Sequence, residues 1–121
     1  DIVVSILPAT KKTKDLINKS FLKNMKKNCL LINIGRGSSL SEVDLLEHIK
    51  QNPNFFASLD VFKIEPLPKT HKFWKNQNII ITPHVAAITD VDSSINYIFT
   101  KFEQFRKKGK IKSDVIIKNG Y

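Results

Sequence analysis

An open α/β fold, a mostly parallel sheet flanked by helices, is predicted by three features of this 121-residue chain. Short apolar runs alternate with segments of helical periodicity, the pattern of strands joined by crossover helices. The runs are nearly continuous in apolar residues rather than alternating, as strands covered on both faces are. Clusters of Asn, Gly, Arg, Asp and His follow the runs directly, at the strand ends where open α/β sheets hold ligands.

The runs place strands at about Ile2–Leu7, Cys29–Asn33, Ala57–Val61 and Ile79–Ile81. Between the first two, Phe21, Leu22 and Met25 form a short amphipathic helix with Asn18 as its cap. Between the second and third, Ser41-Glu42-Val43-Asp44 has the form of a capping box, followed by Leu45, Leu46 and Ile49 on one face. Asn52-Pro53-Asn54 ends that helix by turn chemistry. In the last helix Val91, Ile95, Ile98, Phe102 and Phe105 recur at i, i+4, i+7, i+11 and i+14, the stripe of a face packed on core or on a neighbouring domain, part of which is expected to be exposed in this chain. Asp90 or Thr89 caps its start. Gly109 closes it after Arg106, Lys107 and Lys108, whose charges suit a helix C-terminus. The tail Ser113–Tyr121 holds an apolar patch, Val115-Ile116-Ile117, without a clear period. The chain opens at Asp1 directly in an apolar run and without Met, so further natural sequence is expected upstream.

Composition narrows the function classes. A single cysteine, Cys29, excludes an internal disulfide framework and fits a reduced cytoplasmic compartment, with Cys29 a core residue. No apolar stretch approaches the roughly 18 residues of a membrane helix, and nothing in these residues suggests export. The formal net charge of +9 raises the question of nucleic acid. The lysines are scattered without interleaved aromatics, and Arg36 and Arg106 are the only arginines, so solvated helix faces are the better account. Cys and His spacing offers no metal site.

Three segments carry polar residues past strand ends: Asn33 to Gly37, Asp60 to Pro66, and Thr82-Pro83-His84. Arg36, between Gly35 and Gly37, presents a fork of donors suited to bidentate binding of a carboxylate. His84 can exchange a proton with a neighbouring carbonyl or alcohol oxygen, and Glu65 can hold its imidazole. Each alone reads as a turn or loop residue; as a set they are the protein groups needed to reduce a 2-keto acid, lacking a hydride source. Asp60 taken by itself reads as a cap for a following turn. His48, on the polar side of its helix, and His71, in a Lys-rich loop, are expected to be solvated.

The runs Leu7-Pro8-Ala9-Thr10 through Thr13, Leu31 to Gly37, Leu59-Asp60-Val61-Phe62 with Glu65-Pro66-Leu67-Pro68, and Ile81 to Ala87 resemble, in order and spacing, successive signatures of the D-isomer-specific 2-hydroxyacid dehydrogenases. Ala87-Ile88-Thr89 and the ending Lys118-Asn119-Gly120-Tyr121 are most similar to the glyoxylate/hydroxypyruvate reductase A branch of that family. The resemblance implies a partial Rossmann-like, doubly wound sheet: residues 1–121 as the C-terminal part of an NAD(P)-binding domain, with 88–121 returning toward a substrate domain. It implies that Arg36 binds the substrate carboxylate, that His84 is the general acid and that Glu65 is its partner. Pro8, Ile34, Gly35, Arg36, Asp60, His84 and Ala86 would then border the nicotinamide and its ribose, with Asp60 on the carboxamide. NAD(P)(H) would be the cofactor and a small 2-keto or 2-hydroxy acid the substrate, in a cytoplasmic enzyme that can form homodimers.

The sequence departs from the family pattern at Phe56, where a small residue is usual, and at Lys72-Phe73, where Pro-Leu usually precedes the tryptophan, here Trp74. A larger departure is that no G-x-G-x-x-G phosphate loop occurs. In this family that loop lies earlier in the domain, so the polypeptide alone is expected to bind cofactor weakly and turn over little or no substrate. The alternative is a non-catalytic interaction module that keeps the fold.

Overall fold

The computed structural model describes residues 1–111 and 114; the apolar patch at 115–117 and the end of the chain lie outside them. In chain order the elements are β1 (Ile2–Ser5), α1 (Lys19–Lys23), β2 (Leu30–Asn33), α2 (Glu42–Gln51), β3 (Phe56–Leu59), β4 (Ile79–Ile81) and α3 (Val91–Lys108), with 3-10 turns at Gly37–Ser39 and Lys72–Lys75. The four strands form one parallel sheet in the order β1-β2-β3-β4. The four expected strands all form, within two residues or so of their expected ends.

Local chemistry sets the helix ends. Asn18 caps α1, its side-chain oxygen accepting from Ser20 N–H and Phe21 N–H. Asp90 caps α3 by accepting from Ser93 N–H, and Gly109, at φ 63°, closes it in the left-handed conformation that a Cβ disfavours. At α2 the capping box does not form: Ser41 sits at the cap without a side-chain hydrogen bond, and Asp44 instead accepts from Lys19 N–H at 2.9 Å. The carboxylate that would have closed the box ties α2 to the start of α1.

The core lies on one side of the sheet. Leu31, Ala57, Leu59 and Ile79 of the strands pack with Leu22 of α1, Leu45 and Ile49 of α2, and Phe55 and Phe73 of the loops. Successive strands step in one direction across the sheet, so same-handed crossovers bring α1 and α2 to the same face. The opposite face, with Ile2, Val4, Phe56 and Ile80, is exposed within this chain, where strands covered on both sides were expected. The stripe on α3 is likewise uncovered: no residue of the helix is buried, and Val91, Ile95, Ile98, Phe102 and Phe105 are each about half exposed or more. The period of 3.6 reads that helix's amphipathicity but not what lies against it.

Register positions the site. Ser5, Asn33, Leu59 and Ile81 pair in sequence across the sheet, forming one row at the ends of the strands. The chain leaves all four strands at the same level. The third residue beyond the row is Pro8 after β1, Arg36 after β2, Phe62 after β3 and His84 after β4.

Candidate active site

The loop after β2 is built around Asn33, fully buried at the end of its strand. Its side-chain oxygen accepts from Gly35 N–H at 3.3 Å and its amide donates to the Arg36 carbonyl at 3.4 Å, while Ser39 Oγ donates to the same carbonyl at 2.7 Å. Arg36 is thereby held by its backbone while its side chain stays exposed, with Nη1 donating to the Gly35 carbonyl at 2.8 Å. The flanking glycines are demanded by neighbouring backbone. A Cβ on Gly35 would lie 2.5 Å from Leu7 N, and one on Gly37 would lie 2.0 Å from the Phe62 carbonyl carbon.

Asp60, at the end of β3, is 3% exposed and organises the loop after β4. Its Oδ1 accepts from Thr82 Oγ1 at 2.5 Å and from Val85 N–H at 2.9 Å, and its Oδ2 accepts from Ala86 N–H at 3.0 Å. Burial pulls its pKa upward, but hydrogen bonds from Thr82, Ala86 and Val85, with the charge of His84, outweigh that and leave it below the ordinary value. The donors come from across the sheet, so Asp60 is a clamp on the His84 loop rather than a cap for the turn that follows it. Within that loop His84 adopts φ 57°, a left-handed conformation uncommon for residues other than glycine.

Glu65 meets His84 directly. His84 Nδ1 lies 2.7 Å from Glu65 Oε2, and Glu65 Oε1 accepts from Phe62 N–H at 2.8 Å. For Glu65, burial works upward on the pKa, whereas hydrogen bonds from His84 and Phe62 and the charges of His84 and Arg36 work downward and prevail. With Nδ1 engaged by the carboxylate, Nε2 is the ring nitrogen left to face a substrate. Arg36, Glu65 and His84 border one shallow depression of about 290 Å³, together with Ala9, Gly37 and Phe62. The His84–Glu65 pair also borders a more apolar hollow of about 470 Å³, walled by Leu67, Trp74 and Ile81.

The remaining site residues expected from the sequence lie along the same edge. The Pro8 carbonyl accepts from Thr13 Oγ1 at 2.6 Å, and Ile34 N–H donates to the Ser5 carbonyl at 3.0 Å. Pro8 and Ile34 are half-buried, Gly35 is buried and Ala86 is exposed. Trp74 borders the apolar hollow with its indole N–H on the Pro68 carbonyl at 2.9 Å. Of the departures, Phe73 is a core residue and Phe56 lies on the open face of the sheet.

Several residues that matter here carry no role that the sequence reveals. Asn33, Ser39 and Thr82 lie in or beside the motifs, and only their partners show them as supports. His71 is only partly solvated: its Nδ1 accepts from Phe73 N–H at 3.3 Å and its Nε2 lies 3.5 Å from Glu42 Oε2. His48 is half-buried. Its ring stands edge-on to Phe55 at 4.6 Å, burial lowers its pKa, and its buried Nε2 has no hydrogen-bond partner among the described residues. Both lie on helix or loop surfaces that other segments cover in part, which no local pattern reveals. Among the described residues, no cluster of three or more His, Cys, Asp or Glu side chains is placed to hold a metal ion, and no helix is long and apolar enough to cross a membrane.

A parallel sheet with charged and hydrogen-bonding residues gathered at its carboxyl edge defines an open α/β domain of the kind that holds a ligand beyond the ends of its strands. The chain belongs to the D-isomer specific 2-hydroxyacid dehydrogenases, its residues 1–86 matching the family's NAD binding domain. It is 42% identical, over 99% of its length, to glyoxylate/hydroxypyruvate reductase A of Photorhabdus laumondii, of which it spans 38%. A D-isomer specific 2-hydroxyacid dehydrogenase from Xanthobacter autotrophicus, solved with NADPH and MES, superposes with a TM-score of 0.91 at 30% identity, over 99% of this chain and 50% of that one. An NADPH-dependent glyoxylate/hydroxypyruvate reductase from Sinorhizobium meliloti, solved with NADP and sulfate, superposes with a TM-score of 0.89 at 33% identity, over 100% of this chain and 40% of that one. The chain thus spans half or less of the relatives it matches.

Proposed function

We propose that the chain is the C-terminal part of the NAD(P)-binding domain of a reductase that converts small 2-keto acids, of the glyoxylate and hydroxypyruvate type, to D-2-hydroxy acids. The observation that carries this reading is the 2.7 Å contact between His84 Nδ1 and Glu65 Oε2 beside the depression that Arg36 also borders. Arg36 binds the substrate carboxylate as a fork and draws charge from the adjacent carbonyl. His84 Nε2 delivers the proton to the carbonyl oxygen, and Glu65 steadies the imidazolium and orients the ring. The hydride is what a bound NAD(P)H supplies.

The edge fits the nicotinamide end of that cofactor. Asp60, which accepts three hydrogen bonds at this edge, would hold the carboxamide of the bound nicotinamide. Pro8, Ile34, Gly35 and Ala86 supply a mostly apolar wall for the ring and ribose. The sequence contains no glycine-rich turn for the pyrophosphate, so in this reading that group is held by an amino-terminal section of the same protein. In this reading α3 leads toward the substrate domain, which the absence of buried residues along it supports. The uncovered stripe of α3 favours a second reading, in which the chain is an interaction module that keeps the fold without turnover.

The test joins the chain to the amino-terminal section of its reductase relative and follows NAD(P)H consumption with glyoxylate and hydroxypyruvate. Turnover is expected, His84→Ala lowers kcat by about 10²–10⁴-fold, and Arg36→Ala weakens substrate binding. An unchanged rate in the His84 variant would remove the proposed acid. Ready turnover by the 121-residue chain alone would refute the division of cofactor binding between two sections.

A further inference from the structure

The segment bearing Glu65 is fastened from outside the depression. Two consecutive amides after β3 are taken by two carboxylates: Phe62 N–H by Glu65 Oε1 at 2.8 Å, and Lys63 N–H by Glu42 Oε1 at 3.1 Å. Glu42 is the first residue of α2, and its other oxygen lies 3.5 Å from His71 Nε2, just before the 3-10 turn that leads to β4. One carboxylate therefore joins α2, the loop after β3 and the approach to β4. An acid in the first turn of a helix is favourable for the helix dipole alone and is then ordinarily solvated; the Glu42 side chain is only 17% exposed.

Each residue has two soft dihedrals, so holding the peptide planes on both sides of Phe62 fixes its backbone. Glu65 holds the preceding plane and Glu42 the following one. Gly37 packs directly on the Phe62 backbone from a third side. Lys63 Nζ also reaches Asp15 Oδ1 at 2.6 Å, but both side chains are more than a third exposed and such pairs contribute little. We infer that Glu42 is a positioning residue for the Glu65–His84 pair: by holding Lys63 N–H it sets the Phe62 backbone, whose N–H in turn holds Glu65 with its other oxygen on His84. The inference rests on the proposed roles of Glu65 and His84 for its catalytic meaning, while its geometry is independent of them.

The test uses NMR on the 121-residue chain. A through-hydrogen-bond coupling between Lys63 ¹⁵N and the Glu42 carboxyl ¹³C is expected in the unsubstituted protein. In Glu42→Ala, the Glu65 carboxyl titration is expected to move upward by about half a pH unit, roughly threefold in its protonation equilibrium, and Phe62 N–H to exchange faster. Glu42→Gln keeps an acceptor oxygen for Lys63 N–H and restores most of both. Leu46→Ala, a packing change elsewhere on α2, lowers the melting temperature and leaves the Glu65 titration in place. A missing coupling in the unsubstituted chain overturns the inference. So does a Glu42→Ala chain that melts earlier with the Glu65 titration and Phe62 exchange unchanged. Should Glu42→Ala not fold, the coupling and the Glu42→Gln titration decide. Because none of these readouts involves turnover, a failure here is distinct from a failure of the reductase reading.

Discussion

Replacing Gly37 by alanine tests whether the site is held by backbone contact. The added Cβ would lie 2.0 Å from the Phe62 carbonyl carbon, 2.1 Å from its oxygen and 2.5 Å from its Cα, against 3.4 Å for ordinary contact. Relief therefore needs a shift of about 1 Å or more between two backbone segments. Neither can yield easily: the Phe62 ring is 7% exposed and packs on Phe73, and Gly37 belongs to the turn pinned by Asn33 and Ser39. Overpacking costs about 1–3 kcal/mol, and a backbone clash belongs at the upper end, near 3 kcal/mol. With an unfolding entropy of about 2.1 cal/mol/K per residue, 1 kcal/mol shifts the melting temperature of a 121-residue chain by about 4 °C, so Gly37→Ala is expected to lower it by about 12 °C in circular-dichroism melting. Gly109→Ala is the control. Its φ is 63°, but nothing lies within 4 Å of a built Cβ, so it costs only the left-handed conformation, about 1–2 kcal/mol, at the end of a helix that packs on no core. A Gly37→Ala protein melting within about 4 °C of the parent would refute the close-approach argument.

Asp60→Asn, which cannot accept all three present donors, is expected to cost roughly 2–3 kcal/mol and to speed hydrogen exchange at Val85 and Ala86 while leaving β1 and β2 amides slow; unchanged exchange at both sites would contradict the clamp. Stability should fall in two stages on acidification, followed by urea midpoints. His48 has a folded pKa below its ordinary 6.5, so the unfolded chain binds its proton first and stability declines as pH drops below 6.5; His48→Phe removes that stage. Asp60 and Glu65 have folded pKa values below their ordinary 3.8 and 4.5, so the stability they contribute is complete above those values and is lost as pH falls through the lower folded ones. A flat profile from pH 7 down to about 5 would contradict the assignment of His48. Ile98→Lys with Phe102→Glu should reduce concentration-dependent association in sedimentation without lowering the melting temperature of the core, because α3 contributes no buried residue. Cys29, 4% exposed, should react with thiol reagents only as the chain unfolds.

Residues whose role is decided by their neighbours in the chain are legible from local pattern. Asn18, Asp90 and Gly109 act within one turn of themselves, and the structure places all three as caps. The strand positions and the gathering of Arg36, Glu65 and His84 at one edge are legible for a related reason: apolar runs joined by crossovers make a parallel sheet, and a parallel sheet turns every strand's end to the same side. Ser41 shows the limit of that reasoning. Its capping box has the right local pattern, but Asp44 finds a backbone donor on α1, 25 residues away, and the local alternative loses. His48 and His71 mislead in the same way, since a polar position on a helix or loop says nothing of the segment that later covers it.

Hydrophobic period, turn residues and capping residues act over a few positions, and for that reason the strands and the order of chemistry along them follow from the amino-acid sequence. How that chemistry is supported is settled only in three dimensions. Which carboxylate holds which amide, why Gly35 and Gly37 must lack a Cβ, and that Asp60 clamps the loop after β4 depend on strand register and on backbones brought together from far apart in the chain. Three-dimensional packing also decides which apolar surfaces are covered. Within this chain one face of the sheet carries α1 and α2 while the other face is exposed, because same-handed crossovers bring both helices to one side.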